Sequence, residues 1–300
     1  FWVWLRPGSS LEPPTCSASC RILVNVPSPF IVTGLTNGIT YSITVNGRTN
    51  GGRGGPASAA ITAVPRLAGA AWNVDPPLGS NNLRGTGFAS ATTAGTSELV
   101  DVGCNGAVFW TIDGSTWTAA TPGVTTNLDA VQYRNGLFVA IGDMGTIVTS
   151  PDAVTWTARA SPTTNALTAL EGNGSGQVIA VGANGTILVS SDSMSWAAAN
   201  SGTTSNLYGI GFGNGRYVAV GAHGTMLTST DGTTWTAIAP ATASDLRGVI
   251  YGSTAATSTT SAVATFVAVG IAGTLVTSPD GVAWTEQPPI ATNDLAAVTY

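Results

Sequence analysis

The sequence predicts an all-β protein, and three regularities in its last three quarters carry that prediction. A Ser/Thr-x-Asp-x-x-x-Trp phrase recurs, a Gly-x-x-Gly pair stands ahead of each copy, and apolar stretches of strand length flank both. The aspartates of the five copies follow one another at steps of 39, 40, 39 and 49 residues. A period near forty in a strand-rich sequence is typical of one four-stranded blade per repeat, so we expect a β-propeller.

The aspartate phrase is expected to close the hairpin between the two outer strands of each blade. A short carboxylate can accept backbone N–H bonds from the residues that follow it, helped by the hydroxyl two positions earlier. The tryptophan four residues after the aspartate is expected to pack between neighbouring blades. These structural pairs are Asp113 and Trp117, Asp152 and Trp156, Asp192 and Trp196, Asp231 and Trp235, and Asp280 and Trp284.

The glycine pair is expected to form a tight turn between the first and second halves of each blade. Glycine suits backbone conformations with φ above zero, and we expect the two residues between the glycines to vary freely. The pairs are Gly103 and Gly106, Gly142 and Gly145, Gly182 and Gly185, Gly221 and Gly224, and Gly270 and Gly273.

The aspartate phrase resembles the Asp-box, or BNR, repeat of sialidase-like propellers. It is most similar to the form found in bacterial propellers that resemble the photosystem II assembly factor. The resemblance covers residues 69–300, although the commoner Asp-box has one more residue between Asp and Trp. Asp-box residues lie on the outer rim and are not catalytic, so the resemblance implies a fold more than an activity.

A different pattern precedes the propeller. Residues 30–65 contain the phrase VTGLTNGITYSITV, a Gly-rich turn and GPASAAITAVP. This segment resembles the last strands of a bacterial fibronectin type III domain, with Tyr41 at the place of that family's corner tyrosine. The opening strands of such a domain are absent from the sequence, so we expect either that the domain is cut at Phe1 or that a partner chain supplies the missing edge. We therefore expect a partial fibronectin type III sandwich in residues 1–66 and the propeller in residues 67–300.

The two ends of the propeller region each resemble part of a blade. Residues 70–77, AAWNVDPP, repeat the outermost strand seen in residues 282–289, and residues 294–300 open like the innermost strand of a blade. We expect five full repeats and a split closing blade, whose halves meet so that no sheet edge stays open. The full ring is expected to have six or seven blades. The chain is thus expected to be a piece of a longer protein, with the propeller truncated at its C-terminal end.

Composition sets bounds on partners and location. Charged residues make up only 8% of the chain, all ten basic residues are arginine, and the net charge is −5. No basic cluster is present, which argues against nucleic acid and against an anionic membrane surface. No apolar run reaches the length of a membrane span, so no membrane insertion is expected in this segment. The neutral, hydroxyl-rich surface favours a secreted or cell-surface protein.

The three cysteines are expected to have different roles. The fibronectin resemblance implies a small hairpin disulfide between Cys16 and Cys20, at a separation that is possible where the chain doubles back. Two cysteines without a nearby histidine do not predict zinc, and we expect no metal and no cofactor. Cys104 lies inside a Gly-x-x-Gly turn, and we expect a tolerated turn residue rather than a nucleophile. The sole histidine, His223, is likewise expected to be an exposed turn residue.

One variable position of the innermost strands is the candidate binding site. Each strand begins with a leucine, and the next residue is expected to point toward the mouth of the central channel, where propellers commonly bind ligands. The candidate mouth residues are Arg84, Asp129, Tyr208 and Arg247, with Thr168 and Ala296 at the same position of the remaining strands.

Three functions remain open from the sequence. The first is a non-catalytic structural or adhesion protein of the bacterial cell surface, such as a filament or appendage component, whose propeller binds a protein or glycan or associates with itself. The second is a sialidase-like glycan-binding or glycoside-hydrolysing propeller. That family needs an Arg triad, a Tyr/Glu pair and an acidic acid/base, whereas Glu98, Glu171 and Glu286 are not paired by spacing. The third is an assembly factor for a membrane-protein partner. We expect the protein not to be an enzyme.

Overall fold

The computed structural model of the protein describes the backbone of four short N-terminal strands and the full residues of most of the propeller. The described propeller residues are 81–89, 98–253, 264–289 and 291–299. By its contacts the chain divides into two compact units, Phe1–Pro76 and Pro77–Tyr300. The boundary that we predict after residue 66 falls among residues outside the described ranges, so it stays a prediction.

The four described strands of the N-terminal unit form a four-stranded antiparallel sheet. Its strands are β1 (Trp2–Pro7), β2 (Arg21–Leu23), β3 (Tyr41–Asn46) and β4 (Ile61–Ala63). They are ordered β2-β1-β3-β4 across the sheet, with Val3 opposite both Leu23 and Val45. The fibronectin type III assignment stays a prediction, and Cys16 and Cys20 lie outside the described residues.

The described residues of the second unit form five four-stranded antiparallel sheets, which we call blades 1 to 5. Within each blade the strands follow one another in chain order from the innermost to the outermost. Blade 1 comprises β5 (Leu83–Ala89), β6 (Glu98–Gly103), β7 (Val108–Thr111) and β8 (Thr118–Ala120). Blade 2 comprises β9 (Leu128–Arg134), β10 (Leu137–Gly142), β11 (Ile147–Ser150) and β12 (Thr157–Ala158).

The remaining three blades repeat this order. Blade 3 comprises β13 (Leu167–Gly172), β14 (Val178–Gly182), β15 (Ile187–Ser190) and β16 (Ala197–Ala199). Blade 4 comprises β17 (Leu207–Gly213), β18 (Arg216–Gly221), β19 (Met226–Ser229) and β20 (Thr236–Ala237). Blade 5 comprises β21 (Leu246–Ser253), β22 (Ala264–Gly270), β23 (Leu275–Ser278) and β24 (Thr285–Glu286). The predicted all-β architecture with five full four-stranded repeats is confirmed.

The hydrophobic core of the propeller lies between adjacent blades. Four clusters of buried side chains each draw residues from two successive blades, as Val102 of blade 1 and Phe138 of blade 2 do. Four of the repeated tryptophans pack against these clusters from the later blade of each pair, namely Trp156, Trp196, Trp235 and Trp284. The prediction that the tryptophans pack between blades is therefore confirmed for these four residues.

The turns that contain the repeated aspartates have the predicted hydrogen bonds. Asp192 Oδ1 accepts bonds from the backbone N–H of Met194 and Ser195 at 2.8 and 2.7 Å and from the Ser190 hydroxyl at 3.1 Å. The same carboxylate contacts recur in the other four blades, at Asp113, Asp152, Asp231 and Asp280. Local side-chain chemistry thus fixes the turn between the two outer strands.

These hydrogen bonds predict an acid-sensitive contribution to stability. Backbone N–H bonds, first from Ser195 and then from Met194, lower the pKa of Asp192 from 3.8 to about 2. A lowered carboxyl pKa stabilises the fold above the unfolded-state pKa, and this stabilisation is lost as the pH falls from about 4 to about 2. We expect Asp192→Asn to cost about 0.5–1 kcal/mol at pH 7, because the carboxylate is exposed to solvent, and less at pH 2.

Urea denaturation of both proteins at a series of pH values measures this difference. Glu286→Gln, at an exposed residue of β24, is the control and should leave the free energy of unfolding unchanged within about 0.5 kcal/mol. A cost for Asp192→Asn that is the same at pH 7 and pH 2 would contradict the role of the carboxylate charge.

The glycine turns depart from the prediction in one respect. The second glycine of each pair has a positive φ, as expected, for example +69° at Gly145. The residue just before it is also left-handed in every blade, although none of the five is glycine: they are Asn105, Met144, Asn184, His223 and Ala272. The residue type does vary at this position, as predicted, but the left-handed backbone that all five residues share is not predicted from the sequence and favours asparagine over most side chains.

Met144 is the clearest mismatch between residue and backbone. Its φ is +56°, and its side chain is 71% exposed, so packing offers little compensation for the left-handed conformation. Asparagine tolerates this conformation better than methionine. We expect Met144→Asn to raise the free energy of unfolding by about 0.5–1 kcal/mol. The control is Met194→Asn, at an exposed methionine whose φ is not positive, and thermal unfolding of the two variants should show a gain for the first alone.

The segment after blade 5 does not form the predicted strand. Among the described residues, 291–299 contain no assigned strand, although we predict an innermost strand there. Leu295 nevertheless donates its N–H to the Gly270 carbonyl of blade 5 at 2.9 Å. The predicted outermost strand at residues 70–77 lies outside the described residues, so the split closing blade stays a prediction.

Candidate functional site

The second residue of each innermost strand, which is the candidate mouth position, lies at a β-bulge. The five strands concerned are β5, β9, β13, β17 and β21. In each blade the leucine that opens the innermost strand pairs with the first glycine of the turn, and the ladder resumes two residues later. The intervening residue is left out of the pairing, and a bulge re-aims the side chain of the extra residue. The bulge residues are Arg84, Asp129, Thr168, Tyr208 and Arg247.

Blades 1 and 2 contribute an ion pair to this site. Arg84 Nη1 lies 2.5 Å from Asp129 Oδ1, and the side chains are 41% and 17% exposed. The hydrogen bond to Asp129 raises the pKa of the Arg84 guanidinium, with a smaller contribution from Cys104. Two oppositely charged residues that are 45 positions apart in the sequence are thus adjacent across the blade boundary.

Blades 4 and 5 contribute a cation–π pair. The Arg247 guanidinium carbon lies 4.4 Å from the centre of the Tyr208 ring. Its Nη2 also lies 3.3 Å from Asp245 Oδ2 on the same blade. Because the Arg247 side chain is 39% exposed and the Asp245 contact is long, its guanidinium retains donors that face solvent.

The four predicted mouth residues line one cavity. This cavity has a volume of about 460 Å³ and is bounded by the innermost strands of the blades and by residues 296–299. Arg84, Asp129, Tyr208 and Arg247 all contribute to its lining, together with Ala296. Thr168 does not, because its hydroxyl donates to the Leu207 carbonyl at 2.7 Å. The structure therefore brings together the residues that the sequence comparison selects.

Two further polar side chains line the same cavity, and the sequence analysis does not select them. Gln132 and Glu171 line it three residues beyond the bulge position of their strands. Glu171 pairs with Arg134 at 2.7 Å, and the Arg134 side chain occupies the space that a Cβ at Gly172 would fill. Comparing the fifth residue of each innermost strand, as well as the second, would have revealed these two side chains.

The other chemically reactive candidates occupy turns. His223 is exposed and left-handed, and its backbone N–H donates to Asp245 Oδ1 at 2.8 Å. Cys104 is a free, half-buried thiol at the start of the first glycine turn. In the described part of the chain no three His, Cys, Asp or Glu side chains lie close enough together to hold a metal ion. Across the same residues, no helix is both long and apolar enough to span a membrane.

The fold defines this unit as a β-propeller whose innermost strands line a polar cavity. Residues 100–207 match a family described as the DUF6242 beta propeller domain. Comparison with curated proteins gave no match.

Solved structures resemble the chain at the level of the fold. A structure of YCF48 bound to D1 peptide is 16% identical, with a TM-score of 0.53 over 71% of this chain and 69% of that one. The computationally designed Ika8 protein is 14% identical, with a TM-score of 0.54 over 73% and 65%. U3-55K is 10% identical, with a TM-score of 0.54 over 86% and 77%. The match to YCF48 confirms the predicted similarity to photosystem II assembly factor-like propellers as a similarity of fold.

Proposed function

We propose that the chain is a non-catalytic interaction module that binds a protein or glycan at the channel mouth. The observation that carries this proposal is the convergence of four bulge residues on one cavity of about 460 Å³. Concave sites that combine apolar walls with a few oriented polar groups are the usual form of binding sites. Arg84 and Arg247 each keep exposed donors there, and Tyr208 adds an aromatic surface.

The finer part of the proposal is a structural or adhesion protein of the bacterial surface. Low charge and a surface rich in threonine, serine, asparagine and glycine support it. The order of the N-terminal sheet, β2-β1-β3-β4, also fits the C′-C-F-G sheet of an immunoglobulin-like sandwich, as a fibronectin type III module would have. Tandem modules of this kind suit spacers in filaments or appendages, where self-association of the propeller would build the assembly.

Absence of catalysis is part of the proposal. Most glycoside hydrolases use two carboxyl groups that flank the scissile bond, whereas sialidases use a tyrosine as the nucleophile. The tyrosine of this cavity, Tyr208, stacks against the Arg247 guanidinium. In the cavity, Asp129 is paired with Arg84 and Glu171 with Arg134, which leaves both carboxylates engaged in ion pairs. Assaying the purified protein on a panel of sialosides tests this point, and release of free sugar would overturn it in favour of the sialidase-like alternative.

An assembly factor for a membrane protein is the second candidate. One structural neighbour, YCF48, is a propeller that was solved with a D1 peptide bound. A propeller of this fold can thus hold a peptide of another protein. Isolation of the native protein together with a membrane-protein partner would favour this candidate over the adhesion function.

The binding experiment targets the mouth directly. We would screen the purified chain against a glycan array and a random-peptide display library, then measure the affinity of the selected ligands for variants. Arg247→Gln should weaken binding at least about tenfold, because it removes the exposed donors beside Tyr208. Arg159→Gln is the control, since Arg159 follows the outer strand β12 and donates to Thr149 Oγ1 at 2.7 Å. Ligands that bind both variants equally would place recognition elsewhere on the chain.

A further inference from the structure

Three ion pairs border the cavity of the candidate site, and they face it in different ways. Arg84 and Asp129 both belong to the cavity lining, so together they present no net charge to a ligand. In each of the other two pairs only one member belongs to the lining. These members are the carboxylate of Glu171 in blade 3 and the guanidinium of Arg247 in blade 5. A ligand in the cavity therefore meets one negative and one positive group, and the partner of each lies outside the lining.

Glu171 has a carboxylate oxygen that is free to accept a hydrogen bond. Arg134 Nη2 and the backbone N–H of Gly172 both donate to Oε1, at 2.7 and 2.8 Å. Among the described residues nothing donates to Oε2, and the side chain is 23% exposed. A carboxylate accepts its strongest hydrogen bonds from cationic donors. The blade 3 side of the cavity is thus suited to an ammonium group.

Gln132 extends this accepting side to blade 2. It occupies the same position of its strand as Glu171 does, one blade earlier, and it lines the cavity. Its Oε1 is buried and has no hydrogen-bond partner within the described part of the chain, which costs free energy. Rotation of the carboxamide exchanges its oxygen and nitrogen, so the oxygen can face the cavity that this side chain lines. Gln132 can therefore share the donors of an ammonium group with Glu171.

Arg247 provides the opposite charge. Its Nη2 donates to Asp245 Oδ2 at 3.3 Å, which is a long contact, and its remaining N–H groups have no acceptor in the described ranges. The Tyr208 ring, with its centre 4.4 Å from the guanidinium carbon, restricts where this group lies. Two parallel N–H groups of an arginine match the two oxygens of a carboxylate. The blade 5 side of the cavity is thus suited to a carboxylate.

Blade 4 lies between the two charged sides. Its residues Tyr208, Gly209 and Ile210 line the cavity and give it a surface that is mostly carbon. A ligand that reaches both charges has to pass this surface, so the part that joins its charged ends should be apolar.

We propose that the cavity binds a dipolar segment of a peptide, with an ammonium group at Glu171 and a carboxylate at Arg247. This inference rests on the proposed binding function and narrows its ligand to a peptide that carries both charges. A neutral glycan would displace water from Glu171 Oε2 and from the Arg247 donors without supplying charged partners. A ligand with one charge would satisfy only one of the two groups.

Amino acids of increasing length test this proposal with small probes. A series from glycine to aminooctanoic acid, with the amino group at the end opposite the carboxylate, lengthens the separation of the two charges by one methylene at a time. Ligand-observed NMR with the 300-residue chain measures each affinity, and that of the alkylammonium ion and the alkyl carboxylate of equal length. We expect one length to bind best and to exceed both singly charged analogues at least about tenfold, because it alone makes both contacts.

A second series of probes distinguishes a peptide segment from a free amino acid. In these peptides a lysine and a glutamate flank one or more leucines, and both ends are blocked, so the only charges are those of the two side chains. We expect at least one of these peptides to compete with the best amino acid for the cavity.

Two variants assign the contacts. Glu171→Gln should weaken the best probe about tenfold and leave the affinity for the alkyl carboxylate unchanged. Arg247→Gln should also weaken the best probe but leave the affinity for the alkylammonium ion unchanged. Unchanged binding of one analogue shows in each case that the variant is folded. Glu286→Gln, at an exposed carboxylate of β24 outside the cavity lining, is the control and should bind every probe as the parent does.

The contrary results differ in what they leave standing. Equal affinities of the best amino acid and its singly charged analogues, or no binding of any probe, would show that the two contacts do not form together. Binding of the free amino acids without the blocked peptides would assign the cavity to a small zwitterion. Array glycans whose affinity falls with Arg247→Gln but not with Glu171→Gln would assign it to a neutral sugar. Each result overturns the inference alone, whereas the proposed function fails if no selected ligand responds to Arg247→Gln.

Discussion

Replacing Gly142 with alanine is expected to cost at least about 3 kcal/mol of the free energy of unfolding, and the variant is expected to lose the cooperative unfolding of the parent. A Cβ at this residue would lie 1.9 Å from the Asn127 carbonyl oxygen and 2.8 Å from Leu128 Cα. These atoms belong to the backbone, so no side-chain rotation relieves the overlap. The two strands β9 and β10 would have to separate where Gly142 pairs with Leu128.

The matched control distinguishes steric overlap from conformational strain. Gly136 has a φ of +77°, and a Cβ there would meet nothing within 4 Å. Gly136→Ala is therefore expected to lower the free energy of unfolding by only about 1 kcal/mol, which is the cost of placing alanine in a left-handed conformation. Urea denaturation followed by far-ultraviolet circular dichroism measures both variants. Equal costs for the two substitutions would show that close backbone approach is not what requires glycine at residue 142.

The two glycines of each turn differ in how much of their role can be predicted from the sequence. Glycine at the second position of each pair can be explained from a positive φ, and the structure agrees at Gly145. The first glycine has an extended backbone, with φ at −177° for Gly142, so its requirement comes from the neighbouring strand. That close approach depends on how two strands meet in space. A repeat pattern reveals that glycine is required there but not why.

The candidate site likewise has features that the sequence predicts and others that depend on how the blades meet in space. Aligning the repeats was sufficient to select Arg84 and Asp129 for one variable position, because equivalent residues of a propeller converge on its axis. The ion pair between them depends on the bulge and on the spacing of two adjacent blades. Glu171 was visible in the sequence only as an isolated carboxylate. Its partner, Arg134, reaches it because Gly172 leaves room for the arginine side chain.

Local hydrogen-bonded turns were the most predictable feature of the chain. Asp231 and the Ser229 hydroxyl make their contacts within a few residues, so residue type and spacing determine them. The place of the tryptophans could be predicted for the same reason, since each follows such a turn at a constant distance. The order of strands within a blade likewise follows from short connections between antiparallel neighbours.

Phe266→Ala is expected to cost about 3–5 kcal/mol, because it empties the centre of the interface between blades 4 and 5. The Phe266 ring is fully buried in a cluster with Val218 of blade 4, and its centre lies 4.7 Å from that of Tyr251 and 6.2 Å from that of Trp284. Truncation removes these ring contacts and leaves a cavity between two rigid sheets, which collapses only in part.

The control for this prediction is Phe88→Ala in the same 300-residue chain. Phe88 is 58% exposed, so its truncation should cost less than about 1 kcal/mol. Denaturant midpoints measured by tryptophan fluorescence compare the two variants. The difference between the two phenylalanines tests whether the stability of the propeller resides between its blades. If Phe266→Ala cost no more than Phe88→Ala, each blade would have to be stable without its neighbour, contrary to the cores that successive blades share.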